Sequence, residues 1–529
     1  MQACNTYNYS KTIFCDVAII GGGVSGCAAA IESARKGMHT IIFEKEVSLG
    51  GLATNGYVPQ LAGNVEGICL EFAKRLEAMG QLRKNTTIGQ IIKTEPDKDF
   101  YFCPSFEPEY GKIVLEDMIF EAGARVIYSS TLFDVNVEND IIKSAVFFTK
   151  GGYVRVIAKI YIDSTGDGDL AALSGVPFEV GGYDFAGMNA STTQGSRWAG
   201  ANMLEYLAAE EAWQKEQRAK GEKNPQALVY VLEEEAIKRG EVARHVCNPH
   251  RGFFRVVIPN TPPDNLEFVT FAFHSYYCRN TDAEDISRQV LEQHQLMKQW
   301  HMFMRNNVPG FQNLRLVGLG SLPGVRDTRR IFGEYMLKAS DIACGTKFED
   351  GIARFPDYFD THHPTSEKWF FMRHIHIPEP AGTAVCEADH IGVDCDAQMH
   401  PLGVPAGVPA RVNPRDYCEI PYRCLIPEKI ENLFCAGRCC SSEFHANGAM
   451  RIIAPAMGTG HAAGLAASIA VREKLRPRDI DGKRIRNLLI DEGVRLNEPC
   501  DGHWKEQREM EGDFAINWGD TIVIMPPNR

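Results

Sequence analysis

A chain of 529 residues with 56 basic and 68 acidic side chains carries a net charge of −12. That argues against nucleic acid or an anionic membrane as the main partner, because both select basic surfaces. Hydrophobic residues at 44% and charged residues at 23% are ordinary for a soluble globular protein, and the length suffices for two cores or for one large domain carrying another.

The first informative element is an apolar strand, Val17–Ile20, running into Gly21-Gly22-Gly23-Val24-Ser25-Gly26, a G-x-G-x-x-G loop. A small-residue helix follows, with Arg35 and Lys36 in its last turn and Gly37 as its stop. A second strand, Thr40–Phe43, ends on the acidic Glu44. Each part has a task in binding a dinucleotide. Gly21 allows the tight turn, Gly23 lets the backbone approach a pyrophosphate, and Gly26 lets helix and strand pack closely. The helix N-terminus directs unpaired N–H groups at the phosphates, and Glu44 can accept from the adenosine ribose.

A glycine-rich bend, Leu49–Gly56, comes next. Apolar runs at Leu132–Val137, Ile142–Phe148 and Val154–Ile162, separated by Asn139-Asp140 and Lys150-Gly151-Gly152, predict a small antiparallel meander. The last run enters an Asp/Gly turn, Asp163–Asp169. Leu204–Arg244 and Ala283–Met304 are charge-rich and helix-periodic, read as solvated faces. A stretch rich in histidine and proline, 348–412, precedes a return of dinucleotide-fold features at 422–475. There is no internal repeat and no low-complexity tract. The expected architecture is α/β: a Rossmann-like dinucleotide domain with the meander, interrupted by an α+β substrate or cap domain. The expected bounds are 1–195 and 421–475 for the two parts of the first domain, 196–420 for the insert and 476–529 for a helical or loop extension.

Near the C-terminus, Leu433–Cys435 reads as a strand entering a Gly437-Arg438 turn, and Pro455 as the opening of an Ala/Gly-rich helix. A helix N-terminus there can stabilise negative charge on a bound cofactor. Gly318–Gly324 is not a second dinucleotide loop, because Pro323 sits where a helix must already run and no acidic strand end follows at the right distance. Arg326, Arg329 and Arg330 form a basic cluster near Glu334, with two readings: anion binding over the cofactor, or an Arg–Glu pair joining two domains. No metal is expected. Cys435, Cys439 and Cys440 match no zinc spacing, and His362-His363 and His374-x-His376 lack carboxylates at ligand spacing. The 16 cysteines are scattered, which suits reduced thiols in a cytoplasm; no apolar run approaches the ~20 residues of a membrane span, and the opening MQACNTYNYSKTIF lacks a secretory core.

With these blocks in place, the chain resembles the FAD-dependent oxidoreductase family of bacterial flavoproteins, distantly related to the fumarate-reductase and succinate-dehydrogenase flavoproteins within the glutathione-reductase-like superfamily. The family-like phrases stand at Gly21–Gly26, Gly50–Gly56, Asp163–Asp169, Pro323–Tyr335 and Ala436–Arg451, continuing through Gly464. The resemblance implies bound FAD, with Gly21, Gly23, Val24, Ser25 and Gly26 at the phosphates and Glu44 and Lys45 at the ribose end. It places Gly51, Leu52, Ala53 and Thr54 beside pyrophosphate and flavin, and Thr165, Gly166, Asp167, Gly437, Arg438 and Met457 near the cofactor. His445-Ala446-Asn447-Gly448-Ala449-Met450-Arg451 resembles the His-Gly-Ala-Asn-Arg run of the fumarate reductases, with Arg451 on the carboxylate-binding arginine and the histidine displaced by two residues. The expected catalytic residues are His445 for proton exchange and Arg451 and Arg329 for substrate orientation. The expected reaction is hydride transfer between flavin N5 and a small polar substrate. An electron-relay subunit and a non-redox flavoprotein stand as alternatives, and an external electron carrier and self-association stay open.

Overall fold

The computed structural model describes residues 7–84, 104–223, 225–246, 256–343, 346–356, 361–365, 369–370, 375–376, 384–385 and 417–496. Most of the 348–412 stretch, including His374, and the end of the expected extension lie outside the described residues. Strand β1 (Tyr9–Ile20), helix α1 (Val24–Arg35) and strand β2 (Thr40–Phe43) form the predicted unit, with β1 and β2 parallel in the register Val17↔Thr40 to Ile20↔Phe43. β1 starts well before Val17. Its first half alternates exposed and buried side chains, and only its last residues are the continuous apolar run that the sequence displays.

Helices α2 (Gly67–Ala78) and α3 (Pro108–Ala122) lead to β3 (Arg125–Ile127), which extends the parallel sheet beyond β2. The meander β4 (Thr131–Glu138), β5 (Ile141–Thr149) and β6 (Gly152–Asp163) follows, giving the order β3–β2–β1–β6–β5–β4. β6 belongs to both halves. Its beginning pairs antiparallel with β5, from Gly152↔Thr149 to Val156↔Ala145, while its length runs parallel to β1 and ends at Ile20↔Asp163.

After a short helix α4 (Asp169–Leu173) and strand β7 (Phe178–Val180), β8 (Thr192–Ala201) opens a second, antiparallel sheet. Helices α5 (Met203–Ala219), α6 (Leu228–Lys238) and α7 (Ala283–Asn307), with strands β9 (Leu266–Ser275) and β10 (Arg315–Leu319), complete this unit. The stretch read as helix-periodic from Leu204 to Arg244 is two helices parted near Pro225. The unit has its own core, where Trp198 meets Trp300 edge-on with ring centroids 5.0 Å apart. Strand β11 (Arg329–Ile331) then pairs with β7, and β12 (Gly351–Pro356) with β13 (Tyr417–Pro421). Two observations bear on the insert expected at 196–420. The second sheet begins at Thr192, and Ile331, Ile352, Phe355 and Ile420 are already buried in the clusters that hold β1 and α1.

Strand β14 (Leu433–Cys435) joins β6 in parallel, Cys435 opposite Asp163. Helix α8 (Phe444–Met450) leads to α9 (Ile453–Glu473), which lies against α1. α9 starts two residues before Pro455, whose missing N–H is harmless in a first turn. A Cβ on Gly460 would overlap the Ser25 carbonyl and one on Gly464 the Ala29 carbonyl, so these glycines set how closely the helices approach. Among the described residues, no single helix is long and apolar enough to cross a membrane.

A charge cluster built on buried Glu32 and His461 ties α1 and α9 to the end of α10 (Gly482–Asp491). His461 Nε2 lies 3.0 Å from Glu492 Oε2 and 3.5 Å from Glu32 Oε2, and Lys36 Nζ lies 2.5 Å from Glu492 Oε1 and 3.4 Å from Glu32 Oε1. Burial opposes protonation of His461, but hydrogen bonds and charge from Glu32 and Glu492 outweigh it and raise the imidazole above its ordinary 6.5. A group raised in the folded state contributes stability that is full below its unfolded pKa and is lost as pH climbs through the folded value. The unfolding temperature is expected to be highest below the ordinary 6.5 of a histidine and to fall as pH rises above it, with His461→Gln flattening the decline. An unchanged slope in that variant would remove His461 as the cause.

Candidate functional site

The parallel strands β1, β6 and β14 end side by side, and the loops that leave them meet there. Gly21, at φ +96°, donates its N–H to the Phe43 carbonyl at 2.9 Å, and a Cβ on it would lie 2.6 Å from the Ser164 carbonyl oxygen. Gly26 approaches so closely that a Cβ would overlap the Gly21 carbonyl. Gly23 is different. It has an ordinary extended backbone, φ −66° and ψ 177°, and a Cβ on it would meet only the Ser164 carbonyl, at 4.0 Å. The flank of Gly23 at the start of α1 is thus open.

The bend at 49–56 crosses this loop. Gly50 donates to the Gly22 carbonyl at 2.8 Å, and a Cβ on Gly51 would lie 3.1 Å from Gly23 Cα. Gly51, Leu52 and Ala53 form a short helical turn, closed by buried Thr54, whose Oγ1 donates to the Leu49 carbonyl. Buried Glu44 accepts from Gly22 N–H at 2.5 Å through Oε2 and from Glu46 N–H at 2.8 Å through Oε1. Each oxygen keeps a further lone pair for a ligand hydroxyl. Lys45 is exposed beside it.

The turn after β6 is built on Asp163, which accepts from Thr165 N–H at 3.0 Å, Thr165 Oγ1 at 2.8 Å and Ala171 N–H at 2.9 Å. Complete burial pushes its carboxyl up to about 6, against the pull of these donors. Gly166, at φ +76°, leaves room for the Arg438 guanidinium, since a Cβ there would lie 2.9 Å from Nη2. Asp167 Oδ1 accepts from Arg438 Nη2 at 2.7 Å and from Thr328 Oγ1 at 3.0 Å. Gly437, at φ +83°, donates to Thr459 Oγ1 at 2.9 Å, and Ser25 Oγ reaches the Ala436 carbonyl at 3.5 Å. Arg438 Nη1 and Ser164 Oγ are buried with no hydrogen-bond partner. Met457 is buried in the core within α9. The structure therefore gathers Gly21, Gly23, Val24, Ser25, Gly26, Glu44, Gly51 to Thr54, Thr165 to Asp167, Gly437 and Arg438 into one cradle.

Of the expected catalytic residues, His445 and Arg451 share the segment of α8. His445 is buried, its carbonyl accepts from Thr361 Oγ1 at 3.2 Å, and its ring lies edge-on to Phe444 at 5.2 Å. Arg451 is half-buried at the C-terminus of α8, its N–H donating to the Asn447 carbonyl at 3.0 Å. Arg329 lies in β11. Its Nη1 donates to Asp169 Oδ1 at 2.8 Å and the Asp167 carbonyl at 3.0 Å, with the guanidinium over Phe178. The arginine beside α8 is Arg330, over the Phe444 ring at 5.5 Å. It is fully buried, with Nη2 on Glu179 Oε1 at 2.6 Å and the Gly181 carbonyl at 2.7 Å, Nε on the Ser442 carbonyl at 3.1 Å, and Nη1 on Asp327 Oδ2 at 3.3 Å. The arginine cluster is thus internal at Arg330, and its acidic partners are Glu179 and Asp327 rather than Glu334. Arg326 donates to the Ser191 carbonyl at 2.5 Å.

Asp327 and Asn447 carry no role assigned from the sequence. Asp327 accepts from Ala190 N–H at 2.7 Å and Asn189 Nδ2 at 2.8 Å, and burial keeps its carboxyl above the usual carboxylate range despite Arg330. The available signal was an acid placed among three arginines. Cys435, Cys439 and Cys440 are buried free thiols. His362 stacks on His274 at 5.5 Å, and His363 Nδ1 accepts from Thr365 N–H at 3.0 Å.

Compared with known proteins, the chain matches over residues 16–489 the family described as FAD dependent oxidoreductase. It is 46% identical over 56 residues to the mitochondrial dihydrolipoyl dehydrogenase of Caenorhabditis elegans, covering 10% of this chain and 11% of that one. It is 45% identical over 47 residues to the 4-oxocyclohex-2-ene-1-carboxylate 5-dehydrogenase of Sinomonas cyclohexanicum, covering 9% of this chain and 8% of that one. The chain spans about a tenth of the length of these curated relatives. Among solved structures, it is similar to a geranylgeranyl bacteriochlorophyll reductase-like protein of Thermoplasma acidophilum, at 12% identity and a TM-score of 0.42, covering 91% of this chain and 84% of that one.

Proposed function

The chain belongs to the FAD dependent oxidoreductase family and uses FAD, and from that premise we propose that it transfers a hydride between flavin N5 and a carbon of a small polar substrate. The cradle fits the cofactor on two counts. The open flank of Gly23 lies at the N-terminus of α1, where a pyrophosphate is favoured, and the Glu44 carboxylate keeps lone pairs for ribose hydroxyls beyond those taken by Gly22 and Glu46. In this reading Glu44 receives the ribose, Gly51 to Thr54 cover the pyrophosphate, and Arg438, held by Asp167, neutralises charge.

The observation that carries the reading is that α8 is tied to the cradle itself: Asn447 Nδ2 donates to the Arg438 carbonyl at 2.8 Å. The segment bearing His445 and Arg451 is therefore positioned by the same turn that holds the cofactor. The flavin, when bound, supplies the redox-active N5. Arg451 orients an anionic or hydroxylated substrate, and His445 exchanges the proton that accompanies hydride movement. Arg329 acts in this reading by bracing the Asp167 turn. The burial of α8 and the first turn of α9 keeps water from the reacting groups.

Anaerobic stopped-flow mixing of the holoenzyme with hydroxy acids, amino acids and enoates tests this. The expected result is saturable bleaching, or reoxidation of the reduced enzyme, by one of these classes. NADH and NADPH are expected to act slowly, because the described residues contain one dinucleotide loop, and β10 runs into the turn at Pro323 rather than a helix. Rapid saturable reduction by a nicotinamide would overturn that expectation. Silence with every substrate class would favour electron relay or a non-redox role.

A further inference from the structure

The bend that follows Leu49 is held at both ends. Gly50 donates to the Gly22 carbonyl at 2.8 Å and Gly51 lies against Gly23, which seats the near end on the glycine loop. The far end, Asn55 to Tyr57, rests on the second sheet. A Cβ on Gly195 of β8 would overlap the Gly56 carbonyl and lie 2.9 Å from Tyr57 Cβ. One on Gly318 of β10 would lie 2.9 Å from Tyr57 Oη, and one on Gly320 would lie 2.9 Å from the Asn55 carbonyl oxygen. The missing side chains of Gly195 and Gly318 thus leave a slot that the tyrosine occupies. The same tyrosine packs against the buried cluster of Val256, Ile258 and Val269.

Tyr57 has φ +53°. A bulky side chain is seldom found in the left-handed region, and such a conformation persists where the surroundings over-determine it. The slot in the second sheet does so here. Backbone hydrogen bonds pass this docking back along the bend. Tyr57 N–H donates to the Thr54 carbonyl at 3.2 Å, and Asn55 and Gly56 both donate to the Gly51 carbonyl, at 2.8 and 3.3 Å. A shift of Tyr57 on the second sheet therefore moves the turn from Gly51 to Thr54 with it.

We infer that Tyr57 is a positioning residue for the cofactor: seated between Gly195 and Gly318, it lets the second sheet set where the bend lies over FAD. The inference rests on the reading above in which Gly51 to Thr54 cover the cofactor. It gives the second sheet, which supplies none of the cradle's residues, a hold on how the flavin is presented.

The test uses FAD affinity of the reconstituted protein and the visible circular dichroism of its bound flavin, which reports how the ring is held. Apoprotein unfolding temperature is measured beside them. Tyr57→Ala is expected to weaken FAD about 10-fold, within the range of coupling between groups in contact, and to alter the flavin dichroism. Tyr57→Phe keeps the ring and is expected to restore both. The sharper arm is Gly318→Ala, whose methyl would lie 2.9 Å from Tyr57 Oη but 3.8 Å from the nearest ring carbons. It is expected to disturb FAD binding and flavin dichroism in wild type and to be harmless together with Tyr57→Phe, the signature of a double-mutant cycle. This pair decides the matter if Tyr57→Ala does not fold. Equal effects of Gly318→Ala with and without the tyrosine hydroxyl would overturn the inference. So would a lowered unfolding temperature in Tyr57→Ala with affinity and dichroism unchanged, which is packing alone. If Gly23→Val loses FAD while the Tyr57 and Gly318 variants bind it normally, the inference falls and the cofactor placement stands. Full affinity in all of them would remove the placement too.

Discussion

Gly23→Val is expected to give a folded protein that cannot hold FAD. The position has an extended backbone that any residue adopts, and its new Cβ would meet nothing closer than the Ser164 carbonyl at 4.0 Å. The protein should therefore accept the substitution without strain. The added methyl groups would instead fill the open flank at the start of α1, where a pyrophosphate must come within hydrogen-bonding distance of backbone N–H groups. Visible flavin absorbance after gel filtration, set beside the far-ultraviolet circular dichroism spectrum, separates the two effects. The expected pattern is a normal fold without colour. Gly21→Val is the contrast: it combines φ +96° with overlap of the Ser164 backbone, so it should fail to fold. A yellow Gly23→Val protein with stoichiometric FAD would remove the assigned phosphate approach.

Arg330→Met should destabilise the protein by about 3–5 kcal/mol, the range for breaking a buried pair from one side. The guanidinium is fully buried and donates to Glu179 and Gly181, to Asp327 in its own segment, and to Ser442, so it joins three parts of the chain. Methionine fills much of the same volume but leaves the buried Asp327 carboxyl without its cation. Arg329→Met provides the comparison. Its ion pair with Asp169 is partly solvent-exposed, so its loss should amount to roughly 0–1 kcal/mol. Urea unfolding of both variants with FAD present measures the difference. Equal destabilisation would contradict the internal, cross-linking role assigned to Arg330.

The contrast between these arginines shows where sequence reading stops. The unit from Val17 to Glu44 was legible because its strand, loop, helix and acid are contiguous and constrain one another. The meander was legible because turn residues separate its apolar runs. In the Arg326–Arg330 stretch, spacing shows a dense positive charge but not which arginine turns inward, since Glu179 lies 151 positions away. The register of β14 on β6 is likewise a long-range fact. Asn447 was visible as a letter in the run from His445 to Arg451. Its role depends on the hydrogen bond its amide nitrogen gives to the Arg438 carbonyl, which the letter alone does not show. His461 stood as an isolated polar residue in a helix of alanine and glycine, and the pairing with Glu32 and Glu492 that explains it joins three distant elements.

The contact of Ser25 with Ala436 bridges 411 positions, and it carries a consequence for how the molecule is made. The glycine loop leaves the ribosome well before the opposite wall of its cradle, which arrives only with β14 and α9, after the whole second sheet has been synthesised. A nascent chain paused inside that sheet presents the phosphate loop with one side missing. Cofactor capture by the complete cradle therefore waits for the synthesis of α9, and until then α1 has neither the flavin nor α9 to cover it.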